Sequence, residues 1–251
     1  MKRSKIIVLC LAIGLLASPV WAANGMVGLG AGVAPDYEGS DDTTGVPMFM
    51  FNNNYDSGRF VKLMGANLKV NLIPNKTYSL GPVLNYRMKR SNVDNDQVDL
   101  MDKVDGELAF GVFGGVDINN LLLGLEVASG KDTGVTTQAT AGYRWKAMPA
   151  LTITPGIFTT YASDDYMDSY FSVDSSNRGG STLPNYSADS GFKDVGINLV
   201  ASYTPWENWG IMGLLSYKAL LNDAKDSPVV DDVGDDKQLS AGLMVTYRWG
   251  K

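Results

Sequence analysis

The eleven residues before Gly250 alternate without a break. Leu239, Ala241, Leu243, Val245, Tyr247 and Trp249 fall on one face, and Ser240, Gly242, Met244, Thr246 and Arg248 on the other. Neighbouring residues of a strand point to opposite faces, so this segment reads as a strand with one apolar face and one polar or small face. A soluble sheet uses the same pattern. Here the apolar face ends in two aromatic rings, on the last element of a chain whose start reads as an export signal. That combination points to a wall strand of an outer-membrane β-barrel.

The export reading rests on three features. Lys2, Arg3 and Lys5 form a positive start, Ile6 to Ala17 a short apolar core, and Val20-Trp21-Ala22 a cleavage site with a small residue before the cut. The apolar run falls short of the roughly 20 residues that span a bilayer, which argues against a helical anchor. Cys10 lies inside that core behind Leu9, unlike a lipoprotein signal. The expected division is a signal peptide over 1–22 and a barrel over 23–251. Cleavage removes the single cysteine, and the chain has no histidine, so neither disulfide nor imidazole chemistry is open to the remainder. The formal charge, −6 for the whole chain, falls to −9 when the three signal cations leave. Such an acidic chain is not expected to bind nucleic acid.

The alternation recurs. Tyr78, Leu80, Pro82, Leu84 and Tyr86 oppose Ser79, Gly81, Val83, Asn85 and Arg87. Leu121, Leu123, Leu125 and Val127 oppose Gly124, Glu126 and Ala128, and Val195, Ile197, Leu199 and Ala201 oppose Asp194, Gly196, Asn198 and Ser202. Strands are also expected over 107–117, 135–146 and 150–161, with further candidates at 26–34, 46–53, 59–72 and 208–219. Aromatic residues such as Tyr143, Trp145, Tyr203 and Trp206 gather near strand ends, where amphipathic rings favour the membrane–water boundary. Connections 73–76, 117–120, 146–150 and 204–208 are short, 129–134 is intermediate, and 88–106, 162–192 and 221–237 are long. Short turns belong on the periplasmic side and long loops outside. This spacing gives ten strands from residue 46 onward, leaving 24–45 as an extra strand or a periplasmic segment. Crossings by both 26–34 and 166–174 give twelve strands but break the loop pattern. The expected fold is all-β: a closed antiparallel transmembrane β-barrel of about 10–12 strands.

Several stretches carry a family likeness: Gly28 to Asp42 (GLGAGVAPDYEGSDD), NLIPN at 71–75, SLGPVLNYR at 79–87, DDYMDSYFSV at 164–173, GFKDVG at 191–196, and Leu220 to Trp249. The chain resembles the MltA-interacting protein (MipA/OmpV) family of Gram-negative outer-membrane proteins. The resemblance implies an outer-membrane barrel. For the best-known members it implies a scaffold joining a lytic murein transglycosylase to a bifunctional penicillin-binding protein, and for others a porin or adhesin. It brings no catalytic motif. One departure is the pair Gly250 and Lys251 after Trp249, where such barrels usually end on an aromatic residue.

Arg87, Arg144, Lys146 and Arg248 lie on polar faces, and Glu107, Glu126 and Asp194 are available to pair with them. A charge facing lipid at the midplane costs about 2–4 kcal/mol, so the lumen is the expected direction for those within the membrane. An internal ion-pair network is the first expectation, and a conduction path for anionic solutes the alternative. Asp36, Tyr37, Glu38, Gly39, Ser40 and Asp41 form the most distinctive loop, expected to be a structural turn folded toward the barrel mouth, with a ligand or partner contact as the alternative. The pairs Asp41-Asp42, Asp164-Asp165, Asp231-Asp232 and Asp235-Asp236 read as solvated loop charges rather than acid–base pairs. Calcium, or divalent bridges to lipopolysaccharide phosphate, would suit their oxygens, but none has the D-x-[DN]-x-[DN]-G loop pattern. Gly28-Leu29-Gly30-Ala31-Gly32 lacks the lysine and the strand–helix setting of a nucleotide loop. No catalytic residue, cofactor or metal site is expected. The expected partners are outer-membrane lipid and lipopolysaccharide and, through the resemblance, the transglycosylase and penicillin-binding protein.

Overall fold

The computed structural model describes residues 23–250, so the signal assignment lies outside the described residues. The wall runs through β1 (Ala23–Pro35), β2 (Thr43–Tyr55), β3 (Phe60–Met64), β4 (Asn67–Asn71), β5 (Tyr78–Arg87), β6 (Glu107–Ile118) and β7 (Leu121–Ser129). It continues through β8 (Val135–Tyr143), β9 (Trp145–Met148), β10 (Leu151–Ala162), β11 (Gly191–Tyr203), β12 (Trp209–Leu220) and β13 (Lys237–Trp249). Neighbours are antiparallel, β13 pairs with β1, and β10 pairs with β11, so the sheet closes on itself. Both β8 and β9 pair along β10 and form one strand interrupted at Arg144, which makes the wall twelve-stranded. Closure pairs most of the backbone edge that a bilayer cannot solvate.

The twelve come from two places. The candidate strand 26–34 does cross, as β1, while 166–174 does not. The segment 59–72 is two strands, because the chain reverses at Gly65 (φ +54°) and Ala66 between β3 and β4. The reversal keeps the number even, and its two-residue turn is the exception to the long connections at that end of the barrel.

The outward face is apolar: Leu29, Phe110, Val112, Ile157, Ile197, Leu243 and Val245 are each more than half exposed. A belt of this kind is suited to lipid rather than to water. At the short-turn end Tyr143, Trp145, Tyr203, Trp206 and Trp209 lie exposed around the rim. The tightest turn there has Asn119 (φ +51°) and Asn120 (φ +71°) at its corners, the left-handed pair that matches a two-residue hairpin to strand twist.

The β3–β4 hairpin is shorter than its neighbours. β2 pairs with β3 only from Met50 to Asn54, and the tip is tied by Gly65 N–H donating to Phe49 O (2.9 Å). Beyond it the β3 side of β2 runs free toward the long-loop end, and among the described residues no backbone hydrogen bond closes it. The odd-numbered residues carry the backbone groups on that side, as Phe49 and Tyr55 show. Pro47 is one of them, so the free edge has one donor fewer, a residue choice that discourages strand addition.

The long-loop end is filled by protein. Four helices lie in its loops: α1 (Asp96–Asp99), α2 (Asp164–Phe171), α3 (Asn222–Lys225) and α4 (Pro228–Asp231). In α2 the pairs Tyr166/Tyr170 and Met167/Phe171 stand four apart, so one stripe of the helix is apolar and buried. Asp164 and Asp165 in its first turn complement the positive end of the helix dipole. This stripe packs with Ala162, Ala188, Leu220, Ala224 and Val230, and an adjoining cluster joins Tyr37, Val98, Met101, Val173, Leu183 and Val229. Four separate connections, 36–42, 88–106, 163–190 and 221–236, thus share one apolar cap over the barrel mouth.

Candidate functional site

The cap is fastened to the wall by ions. At β10 and β11 the register shifts, with Thr160 opposite Asp194 but Tyr161 opposite Phe192, leaving Lys193 as the extra residue of a bulge. A bulge breaks the two-residue period. Consequently Lys193 and Asp194, though adjacent, are both buried inside, with Nζ 2.7 Å from the carboxylate. Glu38 reaches down from the 36–42 loop and accepts hydrogen bonds from Lys193 Nζ and Lys218 Nζ. Its other oxygen accepts from the Tyr166 hydroxyl of α2 (2.8 Å). Burial alone would raise the Glu38 carboxyl, but the two ammonium groups outweigh it and hold the acid well below the usual carboxylate range. Burial, with the nearby Glu38 charge, pushes the Tyr166 hydroxyl the other way, well above its ordinary value. The group is therefore a carboxylate between two ammoniums with a neutral phenol donating to it.

The loop that delivers Glu38 is shaped for the purpose. Gly39 has φ +101°, and a Cβ there would stand 2.5 Å from Val230 Cγ2. Gln238 of β13 accepts from Gly39 N–H (3.1 Å) and donates to Ser40 O (3.0 Å). Tyr37 is buried in the cap, and burial pushes its hydroxyl up to about 12. Asp36 accepts from Asp94 N–H (3.0 Å), linking this loop to 88–106. Asp41 is exposed.

A second fastening joins Arg87 and Glu107 at the ends of β5 and β6, 3.7 Å apart. Glu107 accepts from the backbone N–H groups of Lys131, Asp132 and Thr133 at 2.9–3.1 Å. Arg87 donates to Thr133 O (2.6 Å), Gly134 O (2.9 Å) and Ala128 O (3.1 Å), and lies over the Tyr166 ring at 5.1 Å. Together they clamp the 130–134 loop against α2.

Below the cap the lumen holds two chambers that share Glu126 and Gln138. The upper, of about 430 Å³, is lined by Arg87, Tyr166, Lys193, Asp194 and Lys218. The lower, of about 560 Å³, is bounded by the short turns at Gly58, Arg59, Asn75 and Lys76. Between them Glu126 takes hydrogen bonds from Asn67 and Asn85 and pairs with Lys69 at 2.7 Å. Arg144 and Asp117 pair at 2.8 Å lower down. Lys146 pairs in register with the inward Thr152 and is exposed at the rim. Arg248 lines a small hollow at the same end with Asn24, Asn52 and Asn208. The seven charges named from the sequence thus fall into separate groups along the lumen rather than one network. Strands β1, β2, β12 and β13 also contribute an apolar methionine cluster, with Met50, Met212 and Met244 buried beside Met26 and Met48.

Three lumen lysines escape a two-residue count of the sequence, and the partner of a fourth, Lys218, escapes any local pattern. Lys193 sits on the bulge, and Lys218 reaches Glu38 from 180 positions away. Lys62 and Lys69 lie on either side of the turn inside 59–72. One unbroken strand would put them on opposite faces, but the reversal puts both inside, directly paired in register. The adjacent Lys193-Asp194, charged in the midst of apolar alternation, was the available signal for a bulge.

The family model described as "MltA-interacting protein MipA" matches residues 27–249. The MltA-interacting proteins of Escherichia coli K12 and Shigella flexneri are each 31% identical over 81 residues, a stretch that spans 32% of this chain and 32% of theirs. Among solved structures, an outer membrane channel from Pseudomonas putida F1 is 14% identical, with 93% of this chain and 97% of that chain covered, at a TM-score of 0.46. The OmpT outer-membrane protein of Vibrio cholerae is 9% identical, with 90% and 97% covered, at a TM-score of 0.38. A closed twelve-stranded barrel with a lipid-suited belt places the chain in the Gram-negative outer membrane. With the match running through every strand of that barrel, the chain belongs to the MltA-interacting protein MipA family.

Proposed function

We propose that this barrel is a non-catalytic scaffold that docks a murein transglycosylase from the periplasmic side and brings it together with a penicillin-binding protein. The observation that carries the reading is the family match over residues 27–249. The short turns 72–77, 119–120, 149–150 and 204–208, with the rim residues Arg59, Lys76 and Lys146, are the surface it offers to the periplasm. The cap also favours a scaffold over a pore. Glu38, Tyr166, the buried Lys193 and the half-buried Lys218 occupy the mouth through which a solute would pass. Affinity capture of envelope extract on the purified, detergent-folded barrel tests the proposal. Recovery of a lytic transglycosylase is expected, and a capture that returns no murein enzyme overturns it.

A further inference from the structure

The lower chamber carries an unbalanced positive charge. Its lining includes Lys62 and Lys69 on the wall and Arg59, Lys76 and Arg144 toward the short-turn end, against two carboxylates, Asp117 and Glu126. Both carboxylates are already engaged, Glu126 by Lys69 and Asp117 by Arg144. Lys62 makes no ion pair among the described residues. Its ammonium lies 4.2 Å over the Phe60 ring, and Phe60 meets Phe113 with ring centroids 5.9 Å apart. Gln138 and Thr140 add polar groups to the same wall. A cleft lined by one sign of charge with low-dielectric walls focuses the potential and concentrates counter-ions. Its volume of about 560 Å³ falls in the range of small-molecule sites, which pair apolar walls with a few placed polar groups.

We propose that this chamber is a binding site for a small organic anion, a carboxylate or sulfonate on an apolar or aromatic body, which enters from the short-turn end. Lys62 is the counter-charge, and Phe60 and Phe113 take the apolar body. The site is independent of the docking role, since it rests on the chamber and its charges alone. It also differs from a conduction path, because the anion is held rather than passed to the capped end.

Calorimetric titration of the detergent-folded barrel with naphthalene-2-sulfonate tests this, with the neutral naphthalene-2-sulfonamide as the matched probe. The sulfonate is expected to bind at least tenfold more tightly than the sulfonamide, and its binding to weaken as salt is raised. Lys62→Met is expected to lose at least tenfold in sulfonate affinity, Lys62→Arg to retain it, and Lys131→Met, at the exposed 130–134 loop, to leave it unchanged. Equal binding of the two probes overturns the proposal, as does undiminished sulfonate binding by a folded Lys62→Met barrel. The two-probe comparison on the unaltered chain decides the matter even if Lys62→Met fails to fold.

Discussion

Glu38→Ala is the sharpest perturbation of the cap. The side chain touches both lysines and the Tyr166 hydroxyl, so its loss leaves two lumen ammoniums facing an alanine. Breaking a buried ion pair from one side costs about 3–5 kcal/mol, because the remaining charge is stranded. Asp194 stays 2.7 Å from Lys193 and 3.8 Å from Lys218 and softens the loss, which favours the low end, about 3 kcal/mol. At 1.4 kcal/mol per decade this shifts the cap's opening equilibrium by roughly a hundredfold. Hydrogen exchange of the detergent-folded barrel, read by mass spectrometry, reports that shift directly. Amides of α2 and of 36–42 are expected to exchange about a hundredfold faster, while the wall strands keep their protection. Glu38→Gln, which preserves shape and an acceptor for Tyr166, falls in between. The sign with pH follows from the lowered carboxyl: its stabilisation is complete above the free-acid value of 4.5 and is lost only as pH falls toward the depressed folded value. The cap is therefore expected to be equally protected at pH 8 and pH 5, after correction for intrinsic rates. Unchanged α2 exchange in Glu38→Ala refutes the reasoning, and equal loosening of the wall shows that Glu38 holds the barrel rather than the cap.

Other consequences concern the same region. Gly39→Ala forces a side chain onto φ +101° and against Val230, and is expected to cost about 1–3 kcal/mol, read as faster exchange of 36–42. Arg87→Met strips the 130–134 carbonyls of their donor and leaves Glu107 without its cation, so protease nicking within 130–134 is expected to rise while heat-dependent gel mobility stays normal. Tyr37 and Tyr170 ionise only near 12 because they are buried, whereas free phenols titrate at 10. Their neutral forms thus favour the closed cap up to about pH 10, and the cap loses stability between pH 10 and 12. Alkaline difference spectra at 295 nm are expected to show this late phase, and its absence would mean that the phenols are solvated.

The wall could be read from residue order because one rule governs it: a lipid-facing residue, then a lumen-facing one. Where that period runs unbroken, as in Tyr78–Arg87 or Leu121–Ser129, faces follow from parity. Arg87, Glu107, Glu126 and Asp194 lie in such stretches and were accessible to that reading. Parity fails at two kinds of place. At Gly65 and Ala66 a reversal resets it, and at Lys193 a bulge adds a residue, so Lys62, Lys69 and Lys193 stay invisible to a two-residue count. The segment 166–174 could be tried as a crossing strand, yet Tyr166, Met167, Tyr170 and Phe171 repeat at helical spacing and are buried in the cap. What no local pattern contains is the pairing of Glu38 with Lys193 and Lys218, 155 and 180 positions away. That contact exists only because closure of the barrel brings β1's exit loop over β11 and β12.

The most direct test of the docking claim is a binding measurement with orientation built in. A purified lytic transglycosylase is passed over the barrel held in lipid nanodiscs, alongside a variant with the short turns 72–77 and 204–208 replaced by glycine–serine links and another with Glu38→Ala. Saturable binding to the unaltered barrel, lost in the turn variant and kept in Glu38→Ala, is the expected result. Binding that survives the turn replacement and fails with the opened cap, or no binding to the unaltered barrel, contradicts the account.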